Sequence, residues 1–227
     1  MGKTKKELFN LKKFIKQTNK YEYIERIEPK NISNRHWAKI INTMSSFRNE
    51  NFIKTYEKYI NFTRIIYRYQ LDEKSLNLLE PYIQKQDWAY LITRQRLSDE
   101  YMKKHKDKML ANIKELINYQ ILNEEFITNY ILTYKDIEKV DWYIVCRKHF
   151  ISIEIIEQMK EIEKRLKEKN ILITLINWRE LSLSRFLTLD FIIKYKENLN
   201  MHLVTEKNYG ISRELREKVK NYLELIG

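Results

Sequence analysis

Residues 88–102, WAYLITRQRLSDEYM, are the clearest copy of a pattern that recurs along this 227-residue chain. Residues 113–127, IKELINYQILNEEFI, and residues 178–192, WRELSLSRFLTLDFI, repeat it. A large apolar anchor is followed by Leu at the third and ninth positions after it, and by Ser, Asn or Thr at the tenth. An aromatic residue and an apolar residue come at the thirteenth and fourteenth positions. Self-similarity at a fixed spacing predicts a protein built from stacked repeats.

Seven anchors define the repeats, and they are Trp37, Phe62, Trp88, Ile113, Trp142, Trp178 and His202. The steps between them are mostly 24 to 26 residues, with longer steps of 29 and 36 residues before the last two tryptophans. All four tryptophans of the chain are anchors, so we expect their rings to pack in the core. The last copy has a histidine in the anchor position, as expected of a terminal repeat that caps a stack.

Each repeat predicts a hairpin of two short helices. The residue at the tenth position is of the type that begins a helix in every copy where we identify it, namely Asp72, Ser98, Asn123, Ser152, Thr188 and Ser212. This helix-capping role accounts for Ser98 and Ser212 without a nucleophilic function. The helices are too short to be stable alone, so neighbouring repeats must stabilise them.

The composition favours an all-α fold, because the chain has only 3 glycines and 2 prolines for tight turns. We expect Asn to end helices where Gly is usual, since Asn tolerates the left-handed conformation. The predicted fold class is an α-solenoid of short antiparallel helical hairpins, with repeats of about 24–26 residues. Residues 1–33 are predicted to form a basic N-terminal helix, over residues 3–23, and a linker, and residues 34–227 the helical-repeat solenoid.

The repeat resembles the short Trp-containing helical repeats, loosely W-x-x-I…L-S-x-x-F-I, of uncharacterised proteins from large DNA viruses and bacteriophages. The resemblance covers about residues 34–223, and the copies at Phe62 and His202 depart from the motif. It implies a helical-hairpin fold and transfers no catalytic residue to this chain.

The sequence contains no arrangement that we identify as catalytic or as a cofactor site. It has no glycine-rich phosphate loop, and its four histidines are scattered. Cys146 and His149 could place two metal ligands on one helix face, but the favoured interpretation is a core cysteine beside a surface histidine. We therefore expect no cofactor, no metal, no small-molecule substrate and no enzyme activity.

Positive charge is concentrated in the N-terminal third. Residues 1–70 hold 16 Lys or Arg against 6 Glu and no Asp, whereas the rest of the chain holds 27 Lys or Arg against 25 acidic residues. Such asymmetry attracts acidic partners. The candidate contacts to nucleic acid or to an acidic partner are Arg35, Lys39, Arg48, Lys54, Arg64, Tyr67 and Arg68, followed by a second basic patch of Lys103, Lys104 and Lys106. His36, Tyr56 and Tyr69 are interleaved with the first set. The alternative is that these lysines and arginines only solvate helix surfaces.

The repeat pattern and the viral resemblance predict a non-enzymatic interaction protein with an extended binding surface. We expect its partner to be a protein or nucleoprotein complex, as for a virion component or an inhibitor of a host defence complex. The alternative is direct binding of RNA or DNA by the basic N-terminal third. A single cysteine and no long apolar run predict a soluble protein of a reducing compartment, without a membrane partner. The viral resemblance implies the host cytoplasm or the virion.

Overall fold

The protein is all-α in the part that its structure, a computed structural model, describes: residues 10–16, 20–44 and 50–226. These residues contain sixteen α-helices and no strand. The helices of residues 1–98 are α1 (Leu11–Lys16), α2 (Lys20–Glu25), α3 (Asn34–Met44), α4 (Glu50–Tyr56), α5 (Phe62–Arg68), α6 (Glu73–Leu79) and α7 (Asp87–Arg94). Those of residues 99–227 are α8 (Asp99–Lys104), α9 (Lys106–Ala111), α10 (Ile113–Tyr119), α11 (Glu124–Phe126), α12 (Trp142–Lys148), α13 (Ile153–Glu168), α14 (Trp178–Ser182), α15 (Leu189–Tyr195) and α16 (Arg213–Ile226).

The chain forms two compact units, Met1–Ser98 and Asp99–Gly227. In the first unit, the helices that begin at or beside the anchors pack in sequence, with α3 against α5 and α5 against α7. In the second unit, α10 packs against α12, and α12 against α14, which also contacts a π-helical segment, Leu203–Lys207. Within each unit, each anchor helix therefore contacts the anchor helix of the next repeat. The predicted domain boundary after residue 33 stays a prediction.

Three of the four tryptophan anchors are buried as predicted. Trp37 has no exposed surface, and Trp88 and Trp142 are each 4% exposed. Trp178 is only half-buried, and its ring lies 5.2 Å from the buried ring of Tyr195. The tryptophans thus act mainly as core residues, and burial of a side chain of this size is a large source of hydrophobic stabilisation.

Five of the six predicted helix caps are confirmed, and α8 begins directly after the sixth, Ser98. Side-chain oxygens of Asp72, Asn123, Ser152, Thr188 and Ser212 each accept a hydrogen bond from the backbone N–H three residues later. A second set of caps precedes the anchors, where Asn61, Asp141 and Asn177 do the same for α5, α12 and α14. Both helices of a repeat can therefore begin with a locally encoded cap.

The prediction that Asn ends the helices is right at one place. Asn170, after α13, has a φ of 59°. The anchor helices α5, α7, α10 and α12 end differently, each at an extended residue seven positions after the anchor: Tyr69, Gln95, Gln120 and His149. An extended residue turns the chain towards the next helix without a left-handed conformation.

Gln95 shows what this seventh position does. Its side-chain nitrogen donates hydrogen bonds to the carbonyls of Ile66 and Tyr69, and its side-chain oxygen accepts one from the N–H of Leu71 at 2.9 Å. These groups belong to the preceding repeat, at the point where its first helix ends. One buried amide thus satisfies backbone groups left unpaired at a helix end, and it joins neighbouring repeats.

His149 bonds backbone groups of the preceding repeat in the second unit, as Gln95 does in the first. The prediction that it is a surface histidine is wrong. Its side chain is fully buried, its Nδ1 accepts a hydrogen bond from the N–H of Leu122 at 3.1 Å, and its Nε2 lies 3.0 Å from the carbonyl of Ile117. Cys146 is buried as predicted, but its sulfur lies 3.4 Å from the carbonyl of Leu175. The two side chains therefore serve different neighbouring repeats and do not converge on a metal.

The prediction of one helix over residues 3–23 is wrong within the described residues. α1 and α2 are separate helices that contact each other. The hydroxyl of Tyr23 lies 2.9 Å from the backbone nitrogen of Asn10, whereas thirteen residues of straight helix would separate these positions by roughly 20 Å. Burial of Tyr23 beside Phe14 outweighs the helical pattern that continues through this region.

Candidate nucleic-acid interface

Four predicted contact residues lie exposed on two adjacent helices. Arg35 and Lys39 are on α3, and Arg64 and Arg68 are on α5. Residues four apart lie on the same side of a helix, so each helix presents two cations in one direction. None of the four forms an ion pair with a residue that the structure describes. Their charge is therefore available to an outside partner.

The three helices α3, α5 and α7 expose no carboxylate. α3 and α5 contain no Asp or Glu, and the one acid of α7, Asp87, is 1% exposed. Its two oxygens accept hydrogen bonds from the hydroxyl of Thr63 at 2.9 Å and the N–H of Gln84 at 3.2 Å. Asp87 is therefore a structural acid, and the α3–α5–α7 face is positive.

A tyrosine–arginine cluster lies between α5 and α7. The rings of Tyr67 and Tyr90 meet nearly edge to face, with centroids 5.4 Å apart, and they are 39% and 44% exposed. The guanidinium of Arg94 lies 4.6 Å from the centre of the Tyr67 ring and donates a hydrogen bond of 3.1 Å to its hydroxyl. The cluster holds two aromatic rings and a cation in fixed positions at the surface.

Tyr67 is among the contact residues predicted from the sequence, whereas Tyr90 and Arg94 are not. The repeat register carries a signal that could have found Arg94, because it lies six positions after its anchor, as Arg68 does. Tyr90 lies two positions after its anchor, where the preceding repeat has Arg64. Equivalent positions on neighbouring helices of a stack share one face.

The electrostatic effect of this face is visible at His36 on α3. Partial burial lowers the pKa of the imidazole, and the nearby charges of Arg35 and Lys39 lower it further. Burial and two neighbouring positive charges thus both disfavour the charged imidazolium.

The remaining predicted residues of the N-terminal third lie elsewhere. Lys54 is exposed on α4, and Arg48 lies outside the described residues. Tyr56, interleaved with the cations in sequence, packs 5.7 Å from the ring of the buried Trp37 and 4.8 Å from that of Phe52. Burial raises the pKa of the Tyr56 hydroxyl, and this side chain serves the core.

The second basic patch belongs to the second unit, and two of its cations have partners there. Lys103 forms an ion pair of 2.6 Å with Glu125, whose hydrogen bond raises the pKa of the lysine. The ammonium of Lys106 lies 5.6 Å from the centre of the Tyr130 ring, and Lys104 is exposed at the end of α8. This patch is therefore less available to an acidic partner than the α3–α5–α7 face.

The described residues contain no group of three or more His, Cys, Asp or Glu side chains that could hold a metal ion. Among the same residues, every helix is too short or too polar to cross a bilayer. No family model, curated protein or solved structure matches this chain.

Proposed function

We propose that this protein is a non-catalytic binding protein and that its α3–α5–α7 face binds single-stranded RNA or DNA. The observation that carries the proposal is the combination of unpaired cations and exposed tyrosines on a face without exposed carboxylates. Cations neutralise phosphates, and aromatic rings stack on unpaired bases. Duplex bases are already stacked on each other, so the exposed rings favour a single strand.

The row of anchor helices supports an extended ligand. Because α3, α5 and α7 pack in sequence, their exposed sides follow one another along the first unit. We propose that the repeats form a solenoid of helical hairpins, in which each repeat contacts its neighbours.

Affinity for a labelled single-stranded oligonucleotide, measured by fluorescence anisotropy over a range of salt concentrations, tests the function. Replacing Arg64 and Arg68 together by Gln is expected to weaken binding about tenfold or more and to reduce the salt slope by about two. Lys58→Gln with Lys74→Gln is the matched control, because it removes the same charge from exposed positions outside the three helices. Equal losses in both double variants would refute a specific face.

The tyrosines give a second test of the same face. Tyr67→Ala with Tyr90→Ala removes the rings without removing a charge, so affinity should fall by about 1–3 kcal/mol for each lost stack while the salt slope stays unchanged. Unchanged affinity in a folded variant would show that the rings do not contact bases.

A protein or nucleoprotein partner is the second candidate, and exposed apolar side chains of the second unit favour it. Ile171 and Leu172, in the segment after α13, are 43% and 87% exposed. Exposed apolar side chains side by side are typical of contact sites for other proteins. The viral resemblance supports a virion component or an inhibitor of a host defence complex, in the host cytoplasm or the virion. A defined host or virion protein retained by the parent chain but lost with Leu172→Asp would support this candidate, and equal retention would refute it.

A further inference from the structure

Two arginines from neighbouring repeats share one buried carboxylate in the second unit. Glu180 on α14 is fully buried, and its two oxygens accept hydrogen bonds of 3.0 Å from Arg147 on α12 and from Arg179. The arginine side chains remain 49% and 70% exposed. The carboxylate is thus hidden beneath two guanidinium groups that face solvent.

Local structure fixes this arrangement. Asn177 caps α14 by accepting a hydrogen bond of 3.1 Å from the N–H of Glu180. α14 packs against α12, which brings Arg147 to the same carboxylate. The same terminal nitrogen of Arg147 also lies 3.4 Å from the hydroxyl of Tyr143, one helical turn earlier. Glu180 therefore holds both guanidiniums, and the Tyr143 hydroxyl gives that of Arg147 a second contact.

The cluster has more positive charge and more donors than Glu180 can use. Two guanidiniums and one carboxylate leave a net charge of about +1, and each guanidinium has five N–H donors. Glu180 engages one nitrogen of each. It is the only acid within α12 and α14. Fixed, planar donors with surplus charge are the arrangement that recognises a phosphate group.

Lys148 follows Arg147 on α12, and Arg185 is a further cation near it. Burial lowers the pKa of the Lys148 ammonium, and the positive charge of Arg185 lowers it further. Tyr143, beside Arg147, is 43% exposed, so an aromatic ring accompanies the arginines here as it does on the α3–α5–α7 face. This combination favours a phosphate that is attached to a base over a free anion.

We propose that Arg147 and Arg179 form a phosphate-binding fork for a phosphodiester of single-stranded nucleic acid, and that Glu180 is the residue that positions them. This inference rests on the proposed function, but it uses residues of the second unit only. The alternative is that the three side chains only hold α12 against α14.

Replacing both arginines by lysine tests the fork, because the charge is kept and the planar donors are lost. Arg147→Lys with Arg179→Lys is expected to weaken oligonucleotide binding about tenfold, with unchanged circular dichroism. Arg165→Lys with Arg213→Lys is the matched control, since both arginines are exposed on other helices of the same unit. Equal affinity of the fork variant and the control variant would overturn the proposal.

Glu180→Gln separates positioning from net charge. Removing a negative charge makes the chain more basic, so general attraction predicts binding that is as tight or tighter. Loss of the positioning carboxylate predicts binding that is weaker by about fivefold or more. Unchanged or tighter binding in a folded variant overturns the positioning role, and the lysine variant decides the proposal if Glu180→Gln does not fold.

Parallel arms identify the source of the phosphate and separate this inference from the proposed function. Inorganic phosphate and phosphatidylglycerol vesicles are offered in place of the oligonucleotide, and binding of either one without oligonucleotide binding overturns the assignment to nucleic acid. If the fork variant binds like the parent while the Arg64 and Arg68 variant is impaired, the fork is refuted and the proposed function stands. If the fork variant is impaired while the Arg64 and Arg68 variant binds like the parent, the fork is supported and the α3–α5–α7 face is refuted.

Discussion

His149 makes the stability of the second unit depend on pH below neutrality. Burial is the main cause that lowers the pKa of its imidazole from 6.5 to about 4, and the positive charges of Lys148 and Arg185 add to the effect. The N–H of Leu122 donates to Nδ1, which assigns the ring proton to Nε2 and the donated bond to the carbonyl of Ile117. A second proton, on Nδ1, would point at the N–H of Leu122, which is itself a donor, so the charged ring would lose this hydrogen bond.

The magnitude follows from proton linkage. The unfolded chain binds the proton near pH 6.5 and the folded chain only near pH 4, so the stabilising contribution is complete above pH 6.5 and falls as the pH is lowered. The interval between these pKa values, at roughly 1.4 kcal/mol for each pH unit, corresponds to about 3 kcal/mol. By about pH 4.5 most of this, about 2.5 kcal/mol, is lost.

His149→Gln isolates the effect, because the repeat at Trp88 already uses Gln95 in this position. The free energy of unfolding of the variant at pH 7 should lie within about 1 kcal/mol of the parent, since an amide can both donate and accept. Urea unfolding measured between about pH 7 and about pH 4.5 should show that the variant lacks the loss of unfolding free energy that His149 causes in the parent. Identical pH dependence of the two proteins, or an imidazole pKa near 6.5 by NMR titration, would refute the reasoning.

Three further predictions concern side chains of known burial. The Cys146 thiol, whose pKa burial raises to about 12, should resist alkylation at about pH 8 in the folded protein and react once urea unfolds it; fast reaction before unfolding would contradict its burial. Ser152→Ala should lower the free energy of unfolding by about 1 kcal/mol, since Ser152 caps α13 and donates to Glu124; an unchanged urea midpoint would exclude this role. Trp37→Ala should lower the free energy of unfolding by about 3–5 kcal/mol and Trp178→Ala by less, because Trp178 is only half-buried; the reverse order in thermal or urea unfolding would contradict this reasoning.

The sequence alone predicts the features that depend on short-range spacing. The tryptophan at the anchor and the capping residue ten positions later act within one repeat, so Trp88 is buried and Asn123 begins a helix as expected. The shared helix face of Arg64 and Arg68 likewise follows from their separation by four residues. Such patterns need no knowledge of which repeat lies beside which.

Tertiary structure alone decides the features that join one repeat to the next. Gln95, His149 and Glu180 look like ordinary polar residues in the sequence, yet each is buried and bonded to a neighbouring repeat. The pairing of Tyr67 with Arg94 depends on how α5 lies against α7. Because the steps between anchors vary in length, spacing along the chain does not give the contacts across it, and only the packed helices determine which polar side chains lose water and which remain exposed.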